Sequence, residues 1–578
     1  MIGKTRKAHR TITALTTALL IGAVWGGCGD DAGPGGDAAT DAGDAALDAE
    51  VVQVPPDQRC PGDPDCPDLG DGVLHAGVVT VDLTPTDLKE GPTFVDVNDN
   101  HLYSRQDDEY TDENGNGEFD AVWISGNEFS RPAIGVHDPI EARLLALRTN
   151  ETTVVLITAD FIGFFYDYVE HIRQRLDPAV AAEVDLIVFA SSHNHQGPDV
   201  VGIWGSDFIH SGLDPDYLDR VETTLADRVG DAVAALEPAR ITYGAIAVQD
   251  ASGNMSHLVS DTRDPVIINN EMNVLRLSRP ADDSTIATVV NFAYHPEVMG
   301  SHNNLLSADM VHPLRNAVEN GVPGPGAPDG VGGTTLYVNS TVGGQIGAGD
   351  VTALTRDGTP LPDKTWEATE AIGVDLADFA LRALDPSEGA VTDDTASLSF
   401  RTHHVFAQVD NFTYQAAYRL GIFNRAMYHC DPEAAFDDFN IPEILTELVV
   451  LRLGRASLVT IPGEAHPEVF IGCYDGSCSG TWPIVAPDNP NPPPLGSAPD
   501  GPYLKEILAA DGSEYQWVIG LGQDELGYIM PNYNYLLSEG SPYLQQPPGD
   551  HYEEVNSLGP LARDQVIGPL IELIGQGQ

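Results

Sequence analysis

Residues 184–199 read V-D-L-I-V-F-A-S-S-H-N-H-Q-G-P-D: an apolar run from Val184 to Ala190, two serines, two histidines one residue apart, and a Gly-Pro break. A continuous rather than alternating run is what a strand buried on both faces requires. A strand that only had to turn around would not need two imidazoles at its end. The ordinary alternative is a polar loop in which both rings find hydrogen-bond partners, so the choice rests on the rest of the chain.

Working outward, the same design recurs. Short apolar runs stand at "TTVVLITAD" (152–160), "TIATVVNFAYH" (285–295), "TTLYVNS" (334–340) and "RASLVTIPGE" (455–464), with candidate helices over Tyr217–Leu236 and Thr365–Leu384 between them. This alternation predicts an α/β fold with a central mixed sheet flanked by helices, and ligands in such folds gather beyond the carboxyl ends of strands. Three runs end in His193-Asn194-His195, in Tyr294-His295-Pro296 and in Pro462-Gly463-Glu464. Imidazoles and a carboxylate fixed at the ends of rigid elements suit a catalytic zinc site, whereas a structural one is more often closed by cysteines. Taken singly, His295 reads equally as a strand cap and Glu464 as an arginine partner.

With 578 residues and 42% hydrophobic content the chain can build one large core or two ordinary ones. It carries 29 basic against 87 acidic residues, a formal charge of −58, and a surface of that sign repels polyanions, which argues against a nucleic-acid role. At the N-terminus Lys4, Arg6, Lys7 and Arg10 precede "ITALTTALLIGAVWGGC", the layout of a secretory signal over residues 1–27. The run is too short for a membrane span, which needs about 20 apolar residues. Its small-small-Cys ending predicts a lipid anchor at Cys28 and an extracytoplasmic place at a bacterial cell envelope; Trp25 stands where such boxes carry Leu, and a plain secretory signal is the alternative.

Residues 28–74 read as a tether, because the Gly, Ala and Asp of 29–50 bury too little to offset the entropy of ordering them. A single catalytic domain is expected over 75–578. Cys60 and Cys66 are close enough to close a small loop, Cys430 is expected to pair with Cys473 or Cys478, and one thiol is left over.

At this point the residues resemble a known family, the neutral ceramidases. "SSHNHQGPD" resembles its T-H-T-H-S-G-P segment, "NFAYHPEVMGSHNNLLSAD" its N-F-A-x-H-P-T-S-M segment with the S-x-D that follows, and "TIPGE" its P-G-E. "GVHDPIEARLLAL", "LGYIMP" and "HYEEVNSLGP" resemble three further segments in the same order, over about residues 75–575. The resemblance implies a zinc-dependent amidohydrolase acting on an N-acyl amide, ceramide or another lipid amide. It places zinc on His193, His295, Glu464 and Tyr528, with His195 and Tyr552 beside the scissile carbonyl. The likeness covers the catalytic part only, and the family's C-terminal immunoglobulin-like domain is expected to be missing.

Two departures stand out. Gly344-Gln345-Ile346-Gly347 replaces the family's G-D-V-S, so the serine hydroxyl is lost at Gly347. Asn254-Met255-Ser256 replaces its N-R-S, with Arg263 near enough to substitute. They motivate a second reading, a surface-anchored binding protein on the same scaffold without catalysis; a zinc esterase is a variant of the first. Separately, Asp112, Asn114, Asn116, Glu118 and Asp120 follow most of an EF-hand-type calcium loop, with Trp123 at the twelfth position and Asp96, Asn98 or Asn100 as candidates for the missing ligand. A solvated acidic turn is the alternative.

Overall fold

The computed structural model describes residues 54–63, 72–249, 258–347, 351–437 and 439–576. The leader, Cys28, most of the tether, Cys66 and Met255 lie outside the described residues. The chain divides into two units, residues 1–56 and 57–578, and the second carries every element below.

The apolar runs belong to three five-stranded mixed sheets. The first runs Leu186–Ser191, Thr152–Ala159, Glu141–Thr149, Leu74–Asp82, Glu237–Pro238; the second Thr334–Asn339, Thr285–Phe292, Glu271–Ser278, Arg240–Ala247, Val391–Asp393; the third Tyr515–Gly520, Ala456–Ile461, Glu443–Leu453, Leu398–Gln408, Arg59–Cys60. All three follow one plan. Neighbouring strands are antiparallel except for a single parallel pair at one edge: Leu186–Ser191 beside Thr152–Ala159, Thr334–Asn339 beside Thr285–Phe292, and Tyr515–Gly520 beside Ala456–Ile461. A parallel pair needs a crossover, and helices within the connections supply it: Tyr166–Arg175, Val311–Asn320 and Leu504–Ala510 respectively.

Burial follows from this plan. Thr152–Ala159, Thr285–Phe292 and Ala456–Ile461 are buried at every position, as their unbroken apolar patterns predict, while in Leu398–Gln408 buried and half-buried residues largely alternate, the buried set passing from Leu398, Phe400 and Thr402 to Val405 and Ala407 on the opposite face. The three parallel edge strands pack against one another, so the sheets meet along these edges. Asn291 joins two of them, its amide donating to Val338 O at 3.1 Å and to Val518 O at 2.8 Å. The expected helices are found at Pro215–Ala234, capped by Asp214, and Trp366–Ala383, capped by Thr365. In each the cap side chain accepts backbone N–H groups of the first turn that would otherwise lack a partner.

One disulfide expectation is corrected. Cys473 pairs with Cys478, their Cα atoms 5.7 Å apart, and Cys430 is a free thiol. A five-residue loop brings those two within bridging distance, whereas Cys430 sits on a separate loop. Cys60 is disulfide-bonded. Among the described residues no helix is long and apolar enough to cross a membrane.

Candidate metal centre

His193 and His195 follow the edge strand of the first sheet, His295 follows Thr285–Phe292 in the second, and Glu464 follows Ala456–Ile461 in the third. Because the sheets meet along their parallel pairs, these carboxyl ends converge. His193, His195 and His295 are buried, each with a ring nitrogen within 4.8 Å of the others'. Glu464 Oε2 lies 3.2 Å from His193 Nε2 and 3.1 Å from His295 Nε2, and His195 Nε2 lies 3.3 Å from His193 Nε2.

The outward nitrogens fix which atoms face inward. His193 Nδ1 is 2.8 Å from Ile162 O and His295 Nδ1 is 3.1 Å from Gln345 O. A carbonyl oxygen can only accept, so each Nδ1 carries a proton, and it is Nε2 that faces the cluster, with its lone pair free for an ion once the ring gives up its second proton. His193 also holds a left-handed backbone, φ 65°, a conformation that costs a non-glycine residue about 1–3 kcal/mol and persists only where its surroundings enforce it. They do: Asn194 donates to Asp160 O at 3.1 Å and Ser307 O at 2.7 Å, bracing the middle of the His-Asn-His turn.

Two positions missed in the sequence organise this turn. Asn339, at the end of the second sheet's edge strand, donates to Ser192 O at 3.0 Å and to Tyr294 O at 2.8 Å, the carbonyls just before His193 and His295. Arg131, fully buried, donates to the His195 carbonyl at 2.8 Å and to Gln196 Oε1 at 3.0 Å. An asparagine ending a strand and a lone arginine in a loop carry no periodic or motif signal, so neither stands out in the sequence.

Electrostatics divide the cluster. Burial opposes the charge on His193, but Glu464 outweighs it and lifts the ring to about 9. The two histidines likewise overcome burial at Glu464 and hold its carboxyl well below the usual range. Burial lowers His195 to about 4 even though Glu297 lies 3.3 Å away, so this ring is neutral at neutral pH. Glu525, also missed, is driven the other way: burial and the Glu464 charge raise it to about 8.

The backbone sets Tyr528 beside Glu464. Glu464–Ala465 pairs in parallel with Tyr528–Ile529, Glu464 in register with Tyr528, so the two side chains leave the same face of the pair. Gly463 makes the approach possible, since a Cβ there would meet Gly527 O at 2.4 Å. The Tyr528 ring lies 5.9 Å from His466 and 6.0 Å from Tyr552, which begins the short helix Tyr552–Val555.

No protein-family model matches the chain, and no curated protein matches it. Solved structures do. The neutral ceramidase from Pseudomonas aeruginosa superposes with a TM-score of 0.58 at 13% identity, covering 87% of this chain and 74% of that one. A ceramidase complexed with C2 gives 0.57 at 13% identity, over 87% and 75%. The fold is ceramidase-like.

The departures from the family pattern acquire structural reasons on this fold. A Cβ on Gly347 would lie 1.8 Å from the hydroxyl oxygen of Tyr294, so the tyrosine ring occupies the room a serine side chain would need. Arg263 does approach the Tyr552 segment, but it is engaged there: Nη2 donates to Glu554 Oε1 at 3.1 Å and to Asn534 O at 3.2 Å.

The candidate calcium residues lie on a different loop. Asp112 accepts from Gly115 N at 2.6 Å and Gly117 N at 2.9 Å, while the amides of Asn114 and Asn116 donate to Asp120 Oδ2 at 2.7 and 2.8 Å. The Glu118 backbone N–H donates to Asn116 Oδ1. Asp96, Asn98 and Asn100 close a turn of their own, with Asn100 N donating to the first two side chains. Beneath the loop, Phe119 and Trp123 pack with Tyr103 and Tyr110.

Proposed function

We propose that the chain is a zinc-dependent hydrolase that cleaves an N-acyl amide, ceramide or another lipid amide. His193, His295, Glu464 and Tyr528 hold the ion, and His195 and Tyr552 serve the reacting carbonyl. The observation that carries this reading is the convergence of the histidines and Glu464 from three separate sheets, with two Nε2 atoms within 3.2 Å of one carboxylate oxygen. The donor set fits zinc, which favours nitrogen and carboxylate ligands, and the paired Nδ1–carbonyl contacts are the outer support such ligands require. Zinc bound there supplies Lewis acidity toward a carbonyl oxygen and brings the pKa of water to about 7.

The chain's own groups divide the remaining work. His195, a neutral ring, accepts or passes a proton at the inner edge of the cluster. Tyr552 offers its hydroxyl to the oxygen on which charge develops. Glu525 holds a proton beside Glu464 at neutral pH. The same reading extends to location and to the loop at Asp112: lipid on Cys28 tethers the enzyme outside the cytoplasm, and calcium takes the place of the two amide donors now facing Asp120.

Metal analysis of purified protein tests the core of this proposal, with about one tightly held zinc per chain expected. His193→Ala is expected to lose both the metal and the hydrolysis of short-chain N-acyl amides. Zinc-free protein with full activity overturns it. Bound zinc with no turnover across a panel of amides and esters favours the binding-protein reading, to which the occupied space at Gly347 lends support.

A further inference from the structure

Beyond the histidine cluster lies a second set of buried charges. Glu468, Glu553 and Glu554, each at most 3% exposed, surround one cation, Arg263. Its nitrogens lie 3.8 Å from Glu468 Oε1, 4.0 Å from Glu553 Oε2 and 3.1 Å from Glu554 Oε1. Glu554 has a second partner in the buried His551, whose Nδ1 lies 2.7 Å from its Oε1, while Glu468 and Glu553 have the longer contacts to Arg263, so negative charge in this low-dielectric interior calls for a further positive partner or protonation there. Burial pushes Glu553 up, toward the protonated form, whereas at Glu468 the neighbouring His466 and Arg263 charges overcome burial and keep the carboxyl ionised. Among the described residues, Glu468 Oε2 accepts no hydrogen bond; its neighbour His466 Nδ1 is 3.7 Å away.

Glu468 also lines a cleft, together with Tyr474, Asp500, Tyr503, Pro531 and Arg563. The Tyr474 ring lies 6.1 Å from that of Tyr503 and 5.6 Å, edge to face, from that of Tyr533. The hydroxyls of Tyr474 and Tyr533 are buried and, among the described residues, unbonded. Arg563, which also lines the cleft, is paired through Nη1 with Asp564 at 2.7 Å. An ionised carboxylate oxygen, the open phenol oxygen of Tyr474 and the rings of Tyr474 and Tyr503 are the chemistry that receives an organic ammonium: N–H donors for the oxygens and a cation for the ring faces. A bare metal ion fits less well, because among the described residues the convergent triple of ligand atoms is that of His193, His195 and His295.

We propose that this cleft is a subsite for a primary ammonium group, and that the substrate carries such a group at a distance from its scissile amide. The second half of the inference rests on the hydrolase reading above. One short segment serves both places: Glu464 faces the histidines and Glu468 the cleft, and four residues of chain keep their Cα atoms within about 14 Å of each other. The substrate assignment therefore asks for a molecule whose amide and ammonium group lie no farther apart than a distance of that order.

Calorimetric titration of the full chain with n-butylammonium, with n-butanol and butyrate as neutral and anionic controls, tests the subsite. Saturable binding of the amine alone is expected, weakened about tenfold or more in Glu468→Gln. Should that variant fail to fold, Tyr474→Phe, which removes one unbonded hydroxyl, is expected to weaken binding severalfold. Absence of saturable binding, equal binding of butanol, or an affinity unchanged in the folded variants overturns the proposal. The titration needs neither zinc nor turnover, so the two readings fail separately. A chain that binds butylammonium but holds no zinc overturns the hydrolase; a zinc-containing chain that hydrolyses neutral and amine-bearing amides with equal kcat/KM overturns the substrate assignment alone.

Discussion

Tyr294 and Gly347 share one volume. A Cβ at position 347 would sit 1.8 Å from the tyrosine hydroxyl oxygen and 2.0 Å from the ring carbon that bears it, so either residue can have a side chain there, but not both. Gly347→Ser alone should therefore overpack the core and cost about 1–3 kcal/mol of stability. Tyr294→Ala alone should cost about 3–5 kcal/mol through the cavity it leaves. Combined, they should cost less than their sum, because the serine fills part of the space the ring vacates. Urea titration of the four proteins decides this, and strictly additive losses would remove the shared-volume account. Reinstating the family's hydroxyl thus takes two changes.

Asn339 predicts a different kind of defect. It holds the carbonyls of Ser192 and Tyr294 at 3.0 and 2.8 Å, one residue before each of two proposed zinc ligands. Asn339→Asp keeps the shape and removes both donors. Zinc affinity measured by chelator competition should fall about 10- to 100-fold, the effect typical of groups that orient metal ligands. An affinity within twofold of wild type would mean that the histidine turns are held without it.

Much of this architecture is legible in the chain because burial on both faces writes itself as unbroken apolar runs. Thr152–Ala159, Thr285–Phe292 and Ala456–Ile461 are visible for that reason, and the helix expected over Tyr217–Leu236 is found at Pro215–Ala234. The runs do not say which strands share a sheet. That depends on hydrogen bonds between distant segments, and one expected central sheet is in fact three, joined at their parallel edges. The site shows the same division. His193, His295 and Glu464 stand out as polar ends of apolar runs, whereas Glu525, Asn339 and Arg131 act through contacts with residues far off in sequence. Cys430 is a third case: cysteine spacing admits several pairings, and the choice falls to a local loop.

The free thiol of Cys430 should be the site of native-state alkylation among the described cysteines. Burial raises its pKa, with Arg419 only partly opposing, so little thiolate is present at neutral pH. Peptide mapping after iodoacetamide treatment should find Cys430 modified, at a rate that climbs with pH through 9, and Cys473 and Cys478 untouched until reductant is added. Modification of Cys473 or Cys478 in unreduced protein would contradict the pairing.

Asp309 ties the candidate centre to a pH-dependent stability. It is buried near the start of the helix Val311–Asn320, accepts backbone N–H groups from Val298, Met299 and Met310, and lies two residues after Ser307, whose carbonyl anchors Asn194. Burial outweighs those donors, and Asp138 adds to it, so the carboxyl is lifted to about 7. An unfolded aspartate has a pKa of about 3.9. Between these values the folded chain keeps a proton that the unfolded chain has released, so this group lowers the free energy of unfolding as pH rises, by up to about 1.4 kcal/mol per unit, and stops doing so above about 7. Asp309→Asn removes the titration and keeps an acceptor for the backbone donors. Relative to that variant, wild type should lose stability steadily from pH 4.5 to 7 and then run parallel to it, as read from urea midpoints. A constant difference across the range would show that Asp309 is ionised in the folded state throughout, and that the loop bracing His193 is indifferent to pH.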